Sequence, residues 1–238
     1  METIFKNNQK YLMVFGCHHK VGTSWFTSIL THVAREFNLV FQYSQQIGVN
    51  KDTDIFFDDH SRLDVSLLKN YRGVHLIRDP RDVIVSGMFY HRWTSESWAN
   101  EPKDQWDGMT YKQKINSFDN IDDAILFEME NVGRETISEM MRWNYANENF
   151  LEVRYEELLK NQEEQFVNIF NHYNFSRDAV TKCIEIANNY SFERMKKRTN
   201  SEHLRRGVAG DWKEHFSKKN IDLFNSLFPD VFDILSYD

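Results

Sequence analysis

The sequence predicts an α/β fold: a single P-loop-like domain with a central parallel β-sheet flanked by helices on both faces. Three observations predict it. Short apolar runs alternate with segments of helical periodicity, the pattern of successive β–α units. The first apolar run ends in a loop carrying Gly and Lys that opens a helix, an arrangement suited to phosphate. The 238 residues include only 3 Pro and 9 Gly, without a linker-like or repetitive stretch, so one unit spanning 1–238 is expected.

Taken in order, the run 11–15 is a buried strand, 16–22 a loop, and 23–36 a helix whose periodic face is Trp25, Phe26, Ile29, Leu30 and Val33. Strands follow at 38–43 and 54–58, then a short helix at 64–70. The run 73–77 is another buried strand. Asp79 suits a helix N-cap and Pro80 the first turn, so a helix runs to about 91. Residues 93–120 hold Trp93, Trp98 and Trp106 among polar neighbours with weak periodicity. They predict a lid over an acceptor site. A long helix at 122–147, a strand at 150–153 and helices at 155–173, 177–189 and 218–228 complete the chain.

Composition narrows the function. The net charge of −7 leaves no global basic footprint for nucleic acid, so any anionic ligand needs local positive charge. Two cysteines, Cys17 and Cys183, cannot build a disulfide framework or a zinc cluster, and no metal is expected. The polar N-terminal residues lack a signal-peptide pattern. No apolar run approaches the ~18 residues of a membrane helix. A cytoplasmic protein without a membrane partner is expected. Aromatics at 15% suggest a Phe-rich core plus an aromatic-lined pocket.

The loop Gly16-Cys-His-His-Lys20-Val21-Gly22-Thr23-Ser24-Trp25 is the strongest motif. Amides at a helix N-terminus and the helix dipole favour an anion. Lys20 adds charge, and Thr23 and Ser24 add hydroxyl donors. A Walker A loop places its Lys directly after the second Gly, whereas Lys20 precedes Gly22 by two. A second motif is Arg78-Asp-Pro-Arg-Asp-Val-Ile-Val-Ser86. Its guanidinium and hydroxyl suit a terminal phosphate, or Arg78 pairs locally with Asp82. A third, Arg205-Arg206-Gly207-Val-Ala-Gly-Asp-Trp212, is a basic loop whose backbone can approach an anion.

The order Lys-x-Gly-Thr-Ser-Trp resembles the 5′-phosphosulfate loop of sulfotransferases that use PAPS (3′-phosphoadenosine 5′-phosphosulfate, with product PAP). The second motif resembles that family's 3′-phosphate motif. The third resembles its C-terminal Arg-Lys-Gly-x-x-Gly-Asp-Trp segment, with Arg206 in place of Lys. The resemblance implies that Arg78, Ser86, Arg205, Arg206 and Gly207 bind the 3′-phosphate. It implies that Trp25, Tyr155 and Phe192 line the adenosine pocket. The matched segments run in family order from residue 11 to 217.

The same resemblance implies in-line sulfuryl transfer to a small acceptor. His60 is the candidate general base, because an imidazole suits proton abstraction near neutrality. Asp58 or Asp59 would orient it or replace it, and Lys20 would stabilise the leaving phosphate. The chain departs from the family in reading Asp58-Asp59-His60, without the second catalytic Lys. His18, His19 or Lys213 are the cations available to substitute. The family's dimer motif is not recognisable after Phe216, so the oligomeric state stays open. Two other functions compete: a P-loop-type kinase, which would need Mg²⁺, and a non-catalytic PAPS- or PAP-binding protein.

Overall fold

A computed structural model describes residues 3–44, 48–191, 194 and 206–237. They form two compact units. The first comprises residues 1–78 and 143–207, the second 79–142 and 208–238.

The first unit holds β1 (Leu12–Gly16), α1 (Thr23–Glu36), β2 (Phe41–Ser44), β3 (Ile55–Asp58), β4 (Tyr71–Ile77) and β5 (Phe150–Arg154). Helices α6 (Tyr155–Lys160), α7 (Gln162–His172) and α8 (Arg177–Asn189) belong to it too. Its strands pair parallel throughout, in the order β2-β3-β1-β4-β5. Parallel strands covered on both faces read as unbroken apolar runs, and β1 and β3 are buried along nearly their whole length. Helix α1 buries Trp25, Phe26, Ile29, Leu30, Val33 and Ala34. Rings stack through this core, Phe15 on Phe26 at 4.4 Å and Phe15 on Phe57 at 4.9 Å. The buried Tyr173 hydroxyl donates to the Val14 carbonyl at 2.8 Å. Gly73 faces Phe150 across β4 and β5, where a Cβ would come within 2.2 Å of the ring.

The second unit is helical. It holds α2 (Pro80–His91), α3 (Tyr111–Asn116), α4 (Ile121–Glu130), α5 (Val132–Arg142), α9 (Lys218–Leu227) and α10 (Val231–Leu235). Asp79 caps α2 by accepting the Arg81 amide, with Pro80 in the first turn. Capping boxes start α3 (Thr110 with Gln113) and α9 (Ser217 with Asn220).

Three helix predictions need revision at the level of local geometry. The helix at 122–147 is two helices, broken at Asn131 (φ −118°, ψ −109°). The helix at 155–173 is broken at Asn161 (φ −134°, ψ 55°). The short helix at 64–70 is one 3₁₀ turn, Val65–Leu67, begun by the Asp64 carboxylate. Residues 93–120 form 3₁₀ turns and α3, and their rings pack on one another within the second unit. Trp98 meets His91 and Tyr111, and Trp106 meets Tyr111 and Phe127. No helix among the described residues is long and apolar enough to cross a membrane.

Candidate functional site

β1 hands the chain through α1 toward β2 and β3, on one side of the sheet. β4 lies on its other side, next to β5. The strand order therefore reverses between β1 and β4, and ligands of open α/β sheets bind beyond the strand ends at such a switch point. The phosphate loop leaves β1 there, and Arg78 leaves β4.

The Cys17 amide extends the ladder to the Asp58 carbonyl at 3.0 Å, and the Val21 amide turns back to the His18 carbonyl at 3.2 Å. Lys20 takes the left-handed conformation (φ 63°). Gly22 is the N-cap of α1 at φ 110°, and no side chain caps that end. A Cβ on Gly22 would meet Leu76 and Tyr155 at 3.4 and 3.5 Å in a backbone conformation that L residues disfavour. The first-turn amides next to Thr23 and Ser24 thus carry the unscreened positive end of the helix. Val21 is fully buried and seats the loop.

Arg78 is buried beside this loop. Its Nη1 donates to the Lys20 carbonyl at 3.3 Å, and its guanidinium lies 4.6 Å over the Tyr155 ring. Tyr155 opens α6 directly after β5. Trp25 meets Tyr155 edge-on at 6.1 Å. The Trp25 Nε1 is buried and finds no hydrogen-bond partner among the described residues. Cys17 is buried with its Sγ 3.4 Å from Thr23 Oγ1, and burial pushes its thiol far up, so it is no nucleophile.

His60 sits half-buried in the turn after β3. Asp58 accepts the amides of His60 at 3.2 Å and Leu63 at 2.7 Å, and burial raises its carboxyl. Asp59 accepts the Tyr43 hydroxyl at 2.7 Å. Both carboxylates therefore shape the turn. The Ser61 hydroxyl donates to the Cys17 carbonyl at 3.0 Å and ties this turn to the phosphate loop.

The remaining expected residues divide. Arg206 is exposed and Gly207 is left-handed (φ 61°), both in the first unit. Ser86 is half-buried on α2 of the second unit. Phe192 and Arg205 lie outside the described residues. Asp82, considered as a local ion-pair partner for Arg78, is buried in the second unit. Its carboxylate accepts the Gly210 amide at 2.8 Å and the Trp212 amide at 2.9 Å. Arg81 lies 4.0 Å over the Trp212 ring. The second and third motifs are thus physically joined through Asp82, which motif spacing alone does not reveal.

The sequence also missed a buried chain behind the loop. His18 Nε2 and His75 Nε2 lie 2.9 Å apart, His75 Nδ1 is 2.6 Å from Glu152 Oε2, and Trp143 Nε1 donates to Glu152 Oε1 at 2.8 Å. His75 and Glu152 are register partners on β4 and β5, a pairing that aligned strands could have suggested.

Residues 56–234 match the model of the sulfotransferase domain. The chain belongs to the sulfotransferase-domain family. It is 26% identical over 171 residues to human sulfotransferase 2A1, covering 65% of this chain and 54% of that protein. It is 28% identical over 181 residues to mouse sulfotransferase 2A6, covering 66% and 55%. The chain thus spans about half the length of the curated relatives it matches. Its fold is that of the mouse sulfotransferase SULT7A1 solved with PAP (TM-score 0.66, 17% identity, 97% of this chain and 85% of that one). Retinol dehydratase, solved with androsterone and PAP, is also similar (TM-score 0.57, 15% identity, 94% and 82%).

Proposed function

We propose that this sulfotransferase-domain protein moves the sulfuryl group of PAPS to a hydroxyl or amine of a small, apolar or aromatic acceptor. The observation that carries this reading is the loop at the switch point: an uncapped helix N-terminus begun by an obligatory Gly22, with Arg78 tethered to the Lys20 carbonyl. The residues fit the group. Uncapped amides call for an anion, and the unsatisfied Trp25 Nε1 calls for an acceptor such as an adenine nitrogen.

PAPS, when bound, supplies the sulfuryl group and a phosphate leaving group. Amides and hydroxyls of Thr23 and Ser24 hold the 5′-phosphate, and Lys20 neutralises charge on the departing oxygen. Arg78, Ser86, Arg205, Arg206 and Gly207 bind the 3′-phosphate. Trp25, Tyr155 and Phe192 contact the base. His60 removes the acceptor proton. A cytoplasmic location and a single functional domain over 1–238 are part of the same proposal.

Calorimetric titration with PAP, AMP and Mg-ATP in parallel tests it. Metal-independent PAP binding far tighter than AMP binding is expected. Preference for Mg-ATP would replace the reading with a kinase. His60→Ala is expected to abolish transfer while retaining PAP affinity. Transfer near the parental rate in that variant would move the base elsewhere.

A further inference from the structure

Two neighbouring side chains in the first turn of α2 grip one distant stretch of chain. Asp82 is 1% exposed, and its carboxylate accepts two backbone amides, Gly210 at 2.8 Å and Trp212 at 2.9 Å. Arg81 lies over the Trp212 ring at 4.0 Å and over the Phe232 ring at 4.5 Å. Asp79 orients that guanidinium, accepting from its Nε at 2.9 Å and its Nη2 at 2.8 Å. Trp212 is therefore held twice, at its amide by Asp82 and at its ring by Arg81. A planar guanidinium can stack and fork at once, which an ammonium cannot. All of these residues belong to the second unit.

We propose that Asp82 and Arg81 are positioning residues for selectivity toward the cofactor's 3′-phosphate. They fix the segment that follows Arg206-Gly207 on the helix that carries Ser86, and neither touches the phosphate. This rests on the cofactor reading above, which gives the 3′-phosphate to Ser86 and to Arg206-Gly207 among others. Asp82 and Ser86 are four positions apart on α2 and so share one of its faces. A carboxylate that anchors residues 210–212 on that face anchors them one turn from Ser86. Gly207 stands only three positions before Gly210, and three residues span at most about 11 Å. Both glycines take the left-handed conformation (φ 61° and 77°), so this short connection is turned as well as tethered. A loop ordered before the ligand arrives binds more tightly than one that must be ordered by it. A clamp that only stabilised the second unit would leave the preference for a 3′-phosphorylated nucleotide unchanged.

AMP (adenosine 5′-monophosphate) is PAP without the 3′-phosphate, so the ratio of the two affinities isolates that group. Calorimetry with PAP and with AMP compares the parent with Asp82→Asn and Arg81→Gln. Asn keeps the shape of Asp but accepts one amide and turns an N–H toward the other. Asp82→Asn should bind PAP about tenfold more weakly, the scale of one lost charge-assisted bond, and bind AMP as the parent does. Arg81→Gln should shift the ratio the same way by about threefold, the scale of one exposed cation–π contact. A folded Asp82→Asn with the parent's PAP-to-AMP ratio would overturn the positioning role. If Asp82→Asn does not fold, Gly210→Ala decides. A methyl there meets only the Lys213 side chain, at 3.9 Å, and only the left-handed backbone resists it. It should lower the same ratio, and an unchanged ratio overturns the proposal. A parent that binds PAP no better than AMP removes the cofactor reading and the proposal together. A parent that discriminates, with variants that discriminate equally, removes the proposal alone.

Discussion

In the first unit Glu152 holds His75 at 2.6 Å; in the second Glu128 holds His91 at 2.7 Å. Each pair has an aromatic donor, Trp143 in one and Tyr111 at 2.8 Å in the other. The surroundings differ. Glu128 is 1% exposed, and its Oε1 lies so close to Gly87 that a Cβ there would sit 2.4 Å away. His91, Tyr111 and Glu128 come from α2, α3 and α4, so one carboxylate oxygen fastens three helices. Burial pushes the Tyr111 phenol far up and keeps it a donor. Glu152 instead meets water at one edge and connects, through two rings, to the phosphate loop. The same pair of residue types acts as a rivet where it is sealed, and keeps a carboxyl that titrates near neutrality where one edge meets water.

The largest effect expected from this contrast is on stability. Glu128→Ala leaves His91 and Tyr111 donors buried without their acceptor and should cost about 3–5 kcal/mol in urea unfolding. A loss below about 1 kcal/mol would end the rivet description. Arg78→Ala should act on affinity more than on folding. Losing charge-assisted bonds to the 3′-phosphate, worth about 1.5–3 kcal/mol, should weaken PAP about ten- to hundredfold by calorimetry. Unchanged PAP affinity would remove Arg78 from the site.

The smallest effect is the pH slope of stability. Glu152 is raised in the folded protein to about 7. Its contribution is therefore full below the ordinary carboxyl value and is lost as pH rises through about 7. His75 is lowered to about 3, so its contribution is full above the ordinary imidazole value and is lost progressively as pH falls from there to about 3. Between pH 6 and 8 the parent should lose about 1 kcal/mol relative to Glu152→Gln in chemical denaturation. A flat difference would make the two pairs alike.

Elements with strong local signals were legible. The periodic face and Gly22 placed α1 at residues 23–36, and Asp79 with Pro80 placed α2. The breaks at Asn131 and Asn161 were not, because the surrounding apolar pattern runs on across both. The phosphate loop, Arg78 and the His60 turn were legible as motifs at strand ends. The partners of Asp82 and His75 were invisible because they lie far off in sequence. The Asp82 bond to Gly210 spans 128 positions and the His75 bond to Glu152 spans 77. His75 in isolation reads as a lone polar residue in an apolar strand.

The Asp82 clamp also sets a schedule. Its carboxylate is 1% exposed once Gly210 and Trp212 are in place. On the ribosome, Gly210 follows Asp82 by 128 residues, on the order of ten seconds at ordinary elongation rates. Through that interval α2 has been made, and its anion still lacks the amides that will satisfy it. The second unit can close around this carboxylate only after residues 143–207 have been made.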